Sequence, residues 1–183
     1  LEHEYKVKAA FLINFLKFVA WPASAFQDEE SPWVIAIVGE DPFGPYLDQI
    51  LKAKKIRGRK LQLKRFIPEY ETEDADEKPR RLKAEWVKKV KACHAVFLGR
   101  LDDSLQHDLV GRLEKTATLT IGETGDFAAE GGVLQFYIER KKVRFAINVD
   151  AARAQQLQIS SKLLQLAKIV EPSGKSPHTD ASP

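Results

Sequence analysis

The chain has 183 residues, of which 44% are hydrophobic and 30% charged, with a formal net charge of +3. This is ordinary globular composition, long enough to bury one full core, and its charge is too small to imply nucleic acid or an anionic membrane by itself. Cys93 is the only cysteine, which excludes an intramolecular disulfide, and the sequence has no methionine, so Leu1-Glu2 is expected to open a trimmed or mature form whose signal segment has been removed.

Residues 5–20 carry Val7, Ala10, Phe11, Phe15, Phe18 and Val19 at helical spacing, and Leu12, Ile13 and Leu16 make the segment apolar nearly all round. Such a helix is buried on more than one side or makes an interface. Its apolar run, 9–19, contains Asn14 and Lys17 and is shorter than the roughly 20 residues of a membrane span. Pro22 ends it. Trp33 to Val38 is a continuous apolar run, as expected of a central strand buried on both faces. A short helix is predicted over 46–54 and a second strand over 61–66. Residues 68–79 form an acidic loop whose like charges repel, with no material for a core.

An amphipathic helix over 81–91 turns Leu82, Trp86, Val87 and Val90 inward. A third strand covers 95–98, Asp102 or Asp103 caps a helix over 104–113, and a fourth strand covers 117–121. Val133 to Glu139 and Val143 to Val149 make a hairpin joined through Arg140-Lys141-Lys142. Asp150 is expected to cap a short helix reaching Leu157, and Ser160 another over 161–170. Strands alternating with helices predict a single α/β domain over 1–170, with a mostly parallel central sheet, helices on both faces and the antiparallel hairpin at one edge. Residues 171–183, rich in Pro, Ser, Gly and Asp, are expected to be a disordered tail.

Three strands end alike, at Val38-Gly39-Glu40, Leu98-Gly99-Arg100 and Ile121-Gly122-Glu123. Ligands of open α/β sheets bind outside the carboxyl ends of the strands, so Glu40, Asp41, Arg100 and Glu123 are candidate ligand-binding residues. The alternative is that the glycines only turn the chain and the charges are solvated. Arg144 joins the candidates because a strand arginine between apolar positions needs an anion, from Glu123, Glu139 or a ligand. No phosphate-cradling glycine motif, nucleophile elbow or metal-ligand spacing is present, so no catalytic residue, cofactor or metal is expected. Cys93 opens an apolar strand and is expected to be an inert buried thiol, and His94 a boundary residue.

Residues 52–65 hold eight basic side chains, Lys52, Lys54, Lys55, Arg57, Arg59, Lys60, Lys64 and Arg65. They form a solvated face or a surface for an acidic partner. With Phe66 the sole aromatic nearby, no base-stacking platform exists and nucleic acid is not expected. Lys54, Lys55 and Arg57, with Phe11, Phe15 and Phe18 of the first helix, are the candidate partner-binding residues. The helix offers two apolar stripes where one core needs only one, which predicts a homodimer or a helix sandwiched within one protomer.

The N-terminal run Lys6-Val7-Lys8-Ala9-Ala10-Phe11-Leu12-Ile13-Asn14-Phe15-Leu16-Lys17-Phe18-Val19-Ala20-Trp21-Pro22 resembles the opening of the YfiR-like family of periplasmic regulators. Cys93 to Leu98, Thr120-Ile121-Gly122-Glu123 with Phe127, the Gly131-Gly132 turn, Val143 to Asn148 and Ile159 to Ala167 continue the resemblance in order over residues 5–170. It implies a periplasmic protein without enzymatic activity that dimerises and represses a membrane diguanylate cyclase by contact with its periplasmic domain, with no insertion into the membrane. Biofilm formation would then follow the state of that repression. Well-known relatives carry several cysteines and disulfides, so redox control does not transfer to a chain with Cys93 alone. Two other readings come from the residues: a small-molecule-sensing module with its crevice at the carboxyl ends of the strands, and an enzyme using the crevice carboxylates. The second is disfavoured because nothing pairs those carboxylates with a nucleophile or metal.

Overall fold

A computed structural model describes residues 2–71 and 81–173. Helix α1 spans Glu2–Phe18, with Glu2 and Glu4 in its first turn and Lys17 in its last, each of the sign that suits its end of the helix dipole. It stops two residues short of the expected end because Val19–Ala20 (β1) pairs antiparallel with Gln158–Ile159 (β9). The strands β2 (Trp33–Val38), β3 (Lys55–Ile56), β4 (Arg59–Phe66), β5 (Ala95–Leu98), β6 (Leu119–Gly122), β7 (Leu134–Glu139), β8 (Lys142–Ile147) and β10 (Lys168–Ile169) build one eight-stranded sheet. Its order is β10-β8-β7-β6-β5-β2-β4-β3. The five strands β4, β2, β5, β6 and β7 run parallel, while β3 and β8 are antiparallel to their neighbours and β10 is parallel to β8. Renumbered among themselves, the parallel strands give the order 2-1-3-4-5, one of the two common doubly wound arrangements. The expected mixed α/β architecture is therefore present.

Two cores lie on opposite faces of the sheet. One packs α1, α2 (Pro45–Lys52), α5 (Val149–Ala154) and α6 (Ser161–Leu166) against Trp33, Ile35, Ile37, Phe97, Ile121, Phe136, Phe145 and Ile147. The other packs α3 (Ala84–Lys91) and α4 (Asp103–Arg112) against Ala36, Val38, Val96 and Leu98. Strands β2 and β5 feed both, which is why their sequences are apolar without alternation.

Phe11 and Phe15 of α1 meet Phe136 and Phe145, a cross-strand pair of the β7–β8 hairpin. Ring centroids lie 5.2–5.6 Å apart for Phe15–Phe145, Phe11–Phe145 and Phe15–Phe136 and 6.1 Å for Phe11–Phe136. Leu12 and Leu16 are buried in the same core, so both stripes of α1 are used within one protomer and the helix is sandwiched.

Several boundaries differ from the sequence expectations. Asn148, not Asp150, caps α5, since its Oδ1 accepts from Ala151 N at 2.9 Å. Ser160 does cap α6, but that helix ends at Leu166 because Lys168–Ile169 leaves it to pair with β8, and Val170 N donates to Ile147 O. The hairpin is therefore not the edge of the sheet, because β10 lies outside it. At the other edge, Arg57-Gly58, both at positive φ, turn β3 back onto β4. Most of the expected acidic loop and residues 174–183 of the tail lie outside the described residues. The ends of that loop are joined, with Tyr70 and Leu82 forming an antiparallel bridge and Glu71 N donating to Arg81 O.

Deleting the Phe15 ring leaves a cavity between α1 and the hairpin that neither element can fill. Phe15→Ala is expected to cost about 3–5 kcal/mol in urea denaturation, against less than about 1.5 kcal/mol for an apolar swap of similar volume such as Phe15→Leu after repacking.

Candidate functional site

The carboxyl ends of the parallel strands are filled by the chain itself. At the switch point between β2 and β5, a Cβ on Gly99 would lie 2.0 Å from the carbonyl oxygen of Glu40, and one on Gly39 would lie 2.8 Å from Leu101. At the end of β6 the Phe127 ring rests on Gly122 and Gly132, with 2.6 Å and 2.1 Å left for an added Cβ. These glycines serve close packing of loop on strand.

The four carboxyl-end candidates are not gathered into one pocket. Glu40 and Arg100 are exposed. Asp41 accepts from Phe43 N at 2.8 Å and pairs with Arg65 at 2.6 Å, and Arg65 also holds Asp48 at 2.6 Å. Those two carboxylates hold the Arg65 guanidinium well above its ordinary pKa, and Arg65 in turn lowers that of Asp48. Arg144, opposite Tyr137 on the hairpin, is exposed and has Glu139 at 3.9 Å, a loose surface pair.

Glu123 has a different setting. Its two oxygens accept from Tyr5 Oη at 2.9 Å and Lys8 Nζ at 2.6 Å, and Lys8 also pairs with Glu4 one helical turn away. The Lys8 side chain is 4% exposed, and its ammonium lies over the Tyr5 ring at 4.4 Å. Burial first, and then the bond to Glu123, push the Tyr5 hydroxyl far above its ordinary pKa, so it remains a donor. This constellation clamps the N-terminal half of α1 to the end of β6. It presents no activated nucleophile, and among the described residues no group of acidic, histidine or cysteine side chains could hold a metal ion.

Part of the basic ribbon is structural. Arg59 donates to the carbonyl oxygens of Asp28 and Ser31, both at 2.7 Å, and stacks over Phe26 at 4.0 Å. Arg57, at the tip of the β3–β4 turn, donates to Lys17 O at 3.0 Å. That contact brings the ribbon to the end of α1, where Arg57, Lys17, Phe18 and Ile159 line an open cleft of about 250 Å³. Phe18 is 37% exposed there, whereas Phe15 is fully buried and Phe11 half-buried against the hairpin. Lys54 and Lys55 are exposed.

Cys93 is buried, and burial pushes its thiol up to about 11. His94 is more than a boundary residue. Val34 N donates to Nδ1 at 3.0 Å, Nε2 donates to Ala25 O at 2.8 Å, and the ring stacks on Phe26 at 4.3 Å. The sequence signals missed Lys8, Tyr5 and His94 because their partners lie 60 to 118 positions away.

Two predictions follow from these contacts. Glu123→Gln removes one of the two charges facing buried Lys8 while Glu4 stays, and is expected to cost about 1–3 kcal/mol in chemical denaturation. Burial chiefly holds the His94 pKa below its ordinary value, with Arg59 acting in the same direction against the bond to Ala25. The unfolded state therefore takes up a proton more readily, so the His94 contribution is complete above about pH 6.5 and is lost as pH falls through the lower folded-state value. In urea titrations from pH 8 to pH 5, the stability gap between wild type and His94→Gln is expected to narrow as the pH drops.

A comparison with curated proteins finds no match. Among solved structures, the ABC domain in complex with L-Trp from Streptococcus pneumonia is similar at 12% identity and a TM-score of 0.50, covering 75% of this chain. The match spans 55% of that structure's length, and at this identity it shows the fold alone. The family model described as YfiR/HmsC-like matches residues 5–168, nearly all of the described chain. On that match, this chain belongs to the YfiR/HmsC-like family.

Proposed function

We propose that this chain is a periplasmic, non-enzymatic regulatory protein that controls a membrane diguanylate cyclase, and through it cyclic di-GMP and biofilm signalling, by contact with the cyclase's periplasmic domain. Family membership supports the class of role. Among the described residues no helix is long and apolar enough to cross a membrane. The observation that carries the contact surface is the cleft joining Phe18 to Arg57 and Lys17, with Lys54 and Lys55 beside Arg57 in sequence. An aromatic anchor ringed by cations suits an acidic protein surface, where charge speeds encounter and the buried ring slows release. Phe18 is also the member of the Phe11–Phe15–Phe18 stripe with most surface left for a homodimer contact.

The alternative, a small-molecule sensor with its crevice at the carboxyl ends of the strands, finds less support, since Glu40, Leu101 and Phe127 fill that region. Reversing Lys54, Lys55 and Arg57 together to Glu is expected to slow association with the cognate periplasmic domain about tenfold or more at low salt, with the effect shrinking as salt rises. Phe18→Asp is expected to act on the dissociation rate instead. Biolayer interferometry across a salt series separates the two, and wild-type rates in both variants would remove this surface from the proposal.

A further inference from the structure

A second open cleft, of about 500 Å³, lies between the first turns of α1 and the tip of the β7–β8 hairpin. Its apolar lining comes from Val7 and Phe11 on the helix and Ile138 and Val143 on the hairpin. Ile138 is 52% exposed and lines the groove together with the half-buried Phe11. Lys141 and Lys142 line the same cleft, and among the described residues neither makes an ion pair. Glu4 is the one carboxylate in the lining, and Lys8 already holds it. Arg144, loosely paired with Glu139, also lines the cleft, as does His3.

The hairpin turn makes this placement costly. Arg140 and Lys141 both sit at positive φ, 49° and 63°, in a two-residue turn that Asn-Gly would make without strain. Left-handed backbone costs a non-glycine residue roughly 1–2 kcal/mol. A cation is thus held at the rim at the expense of the fold, the pattern of strain kept at functional positions.

We propose that this cleft binds a small amphipathic anion, an aliphatic carboxylate whose head group meets Lys141 and Lys142 and whose chain lies along Val7, Phe11, Ile138 and Val143. Its volume falls in the range of small-molecule sites, and its lining sets four apolar side chains, Val7, Phe11, Ile138 and Val143, beside the basic residues of the hairpin, as an amphipathic ligand requires. The site is separate from the Phe18 cleft and does not depend on any cyclase, so it is tested on this chain alone.

The test uses hexanoate, octanoate and decanoate as probes, with 1-octanol as the neutral control, read by calorimetry and by amide shifts of residues 138–144. Affinity is expected to rise about two- to fourfold per added methylene. Octanoate should bind about tenfold more tightly than 1-octanol. The decisive variant is Lys141→Gly with Lys142→Gln. Glycine relieves the positive-φ strain, so the variant should melt at or above the wild-type temperature while binding octanoate about tenfold more weakly. Ile138→Asp should weaken decanoate more than hexanoate. Equal binding of octanoate and 1-octanol, or undiminished octanoate binding by the stabilised double variant, would overturn the proposal.

Discussion

The docking of α1 onto the β7–β8 hairpin, phenylalanine against phenylalanine, is the contact on which the other features depend. A 17-residue helix is only marginally stable alone, so its helicity is secured by what it buries. Phe15 supplies the deepest contact, between Phe136 and Phe145. Once α1 is seated, its first turns stand beside the hairpin tip, its second turn delivers Lys8 to Glu123, and its last turn delivers Phe18 to Arg57. Two clefts and one buried ion pair are thus set by one helix position. Two of these three join segments more than 100 residues apart in sequence and the third joins Lys17 to Arg57 across 40, so each depends on α1 having reached its final position.

The same packing explains why the expected crevice is closed. In doubly wound sheets the loops after neighbouring strands usually part at the switch point and leave room for a ligand. Here the loop after β2 turns back across β5, which is possible because Gly99 has no side chain to meet the Glu40 carbonyl. Phe127 does the same at β6, between Gly122 and Gly132. The charged side chains that follow these glycines are consequently turned to solvent or to partners of their own, Arg65 for Asp41 and Lys8 with Tyr5 for Glu123.

What could be read from sequence was what periodicity encodes. The continuous apolar runs of β2 and β5 fell where their patterns put them and the hairpin strands within two residues, while α3 begins three residues later than expected, at Ala84, with Leu82 bridging Tyr70 instead. The two-residue strands β1, β3, β9 and β10 are too short to carry a period, and β10 was absorbed into the helix before it. Asn148 and Asp150 both suit a helix N-terminus, and the register was decided by burial, since the Asn148 amide also donates to Ala128 O inside the protein. Of the candidate site, the aromatic stripe and the basic ribbon were visible as composition. That they meet at Phe18 and Arg57 was not, because the meeting depends on how α1 and the β3–β4 turn approach in space. The Lys8–Glu123 pair was hidden for the same reason, and a lysine inside an otherwise apolar helix face was the signal available for it.

The two outermost strands of the sheet have a shared design. Each is two residues long and each reads Lys-Ile, Lys55–Ile56 in β3 and Lys168–Ile169 in β10. Each covers only two residues of the longer strand beside it, Arg59 and Lys60 of β4 and Ala146 and Ile147 of β8, so the remainder of β4 keeps an open side that carries the exposed charges of Lys64 and Arg65. An eight-stranded sheet rich in valine, isoleucine and phenylalanine is otherwise a template for runaway lateral growth. Where the two-residue strands do not reach, charge opposes that growth, through Lys64 and Arg65 along β4 and Lys142 and Arg144 along β8.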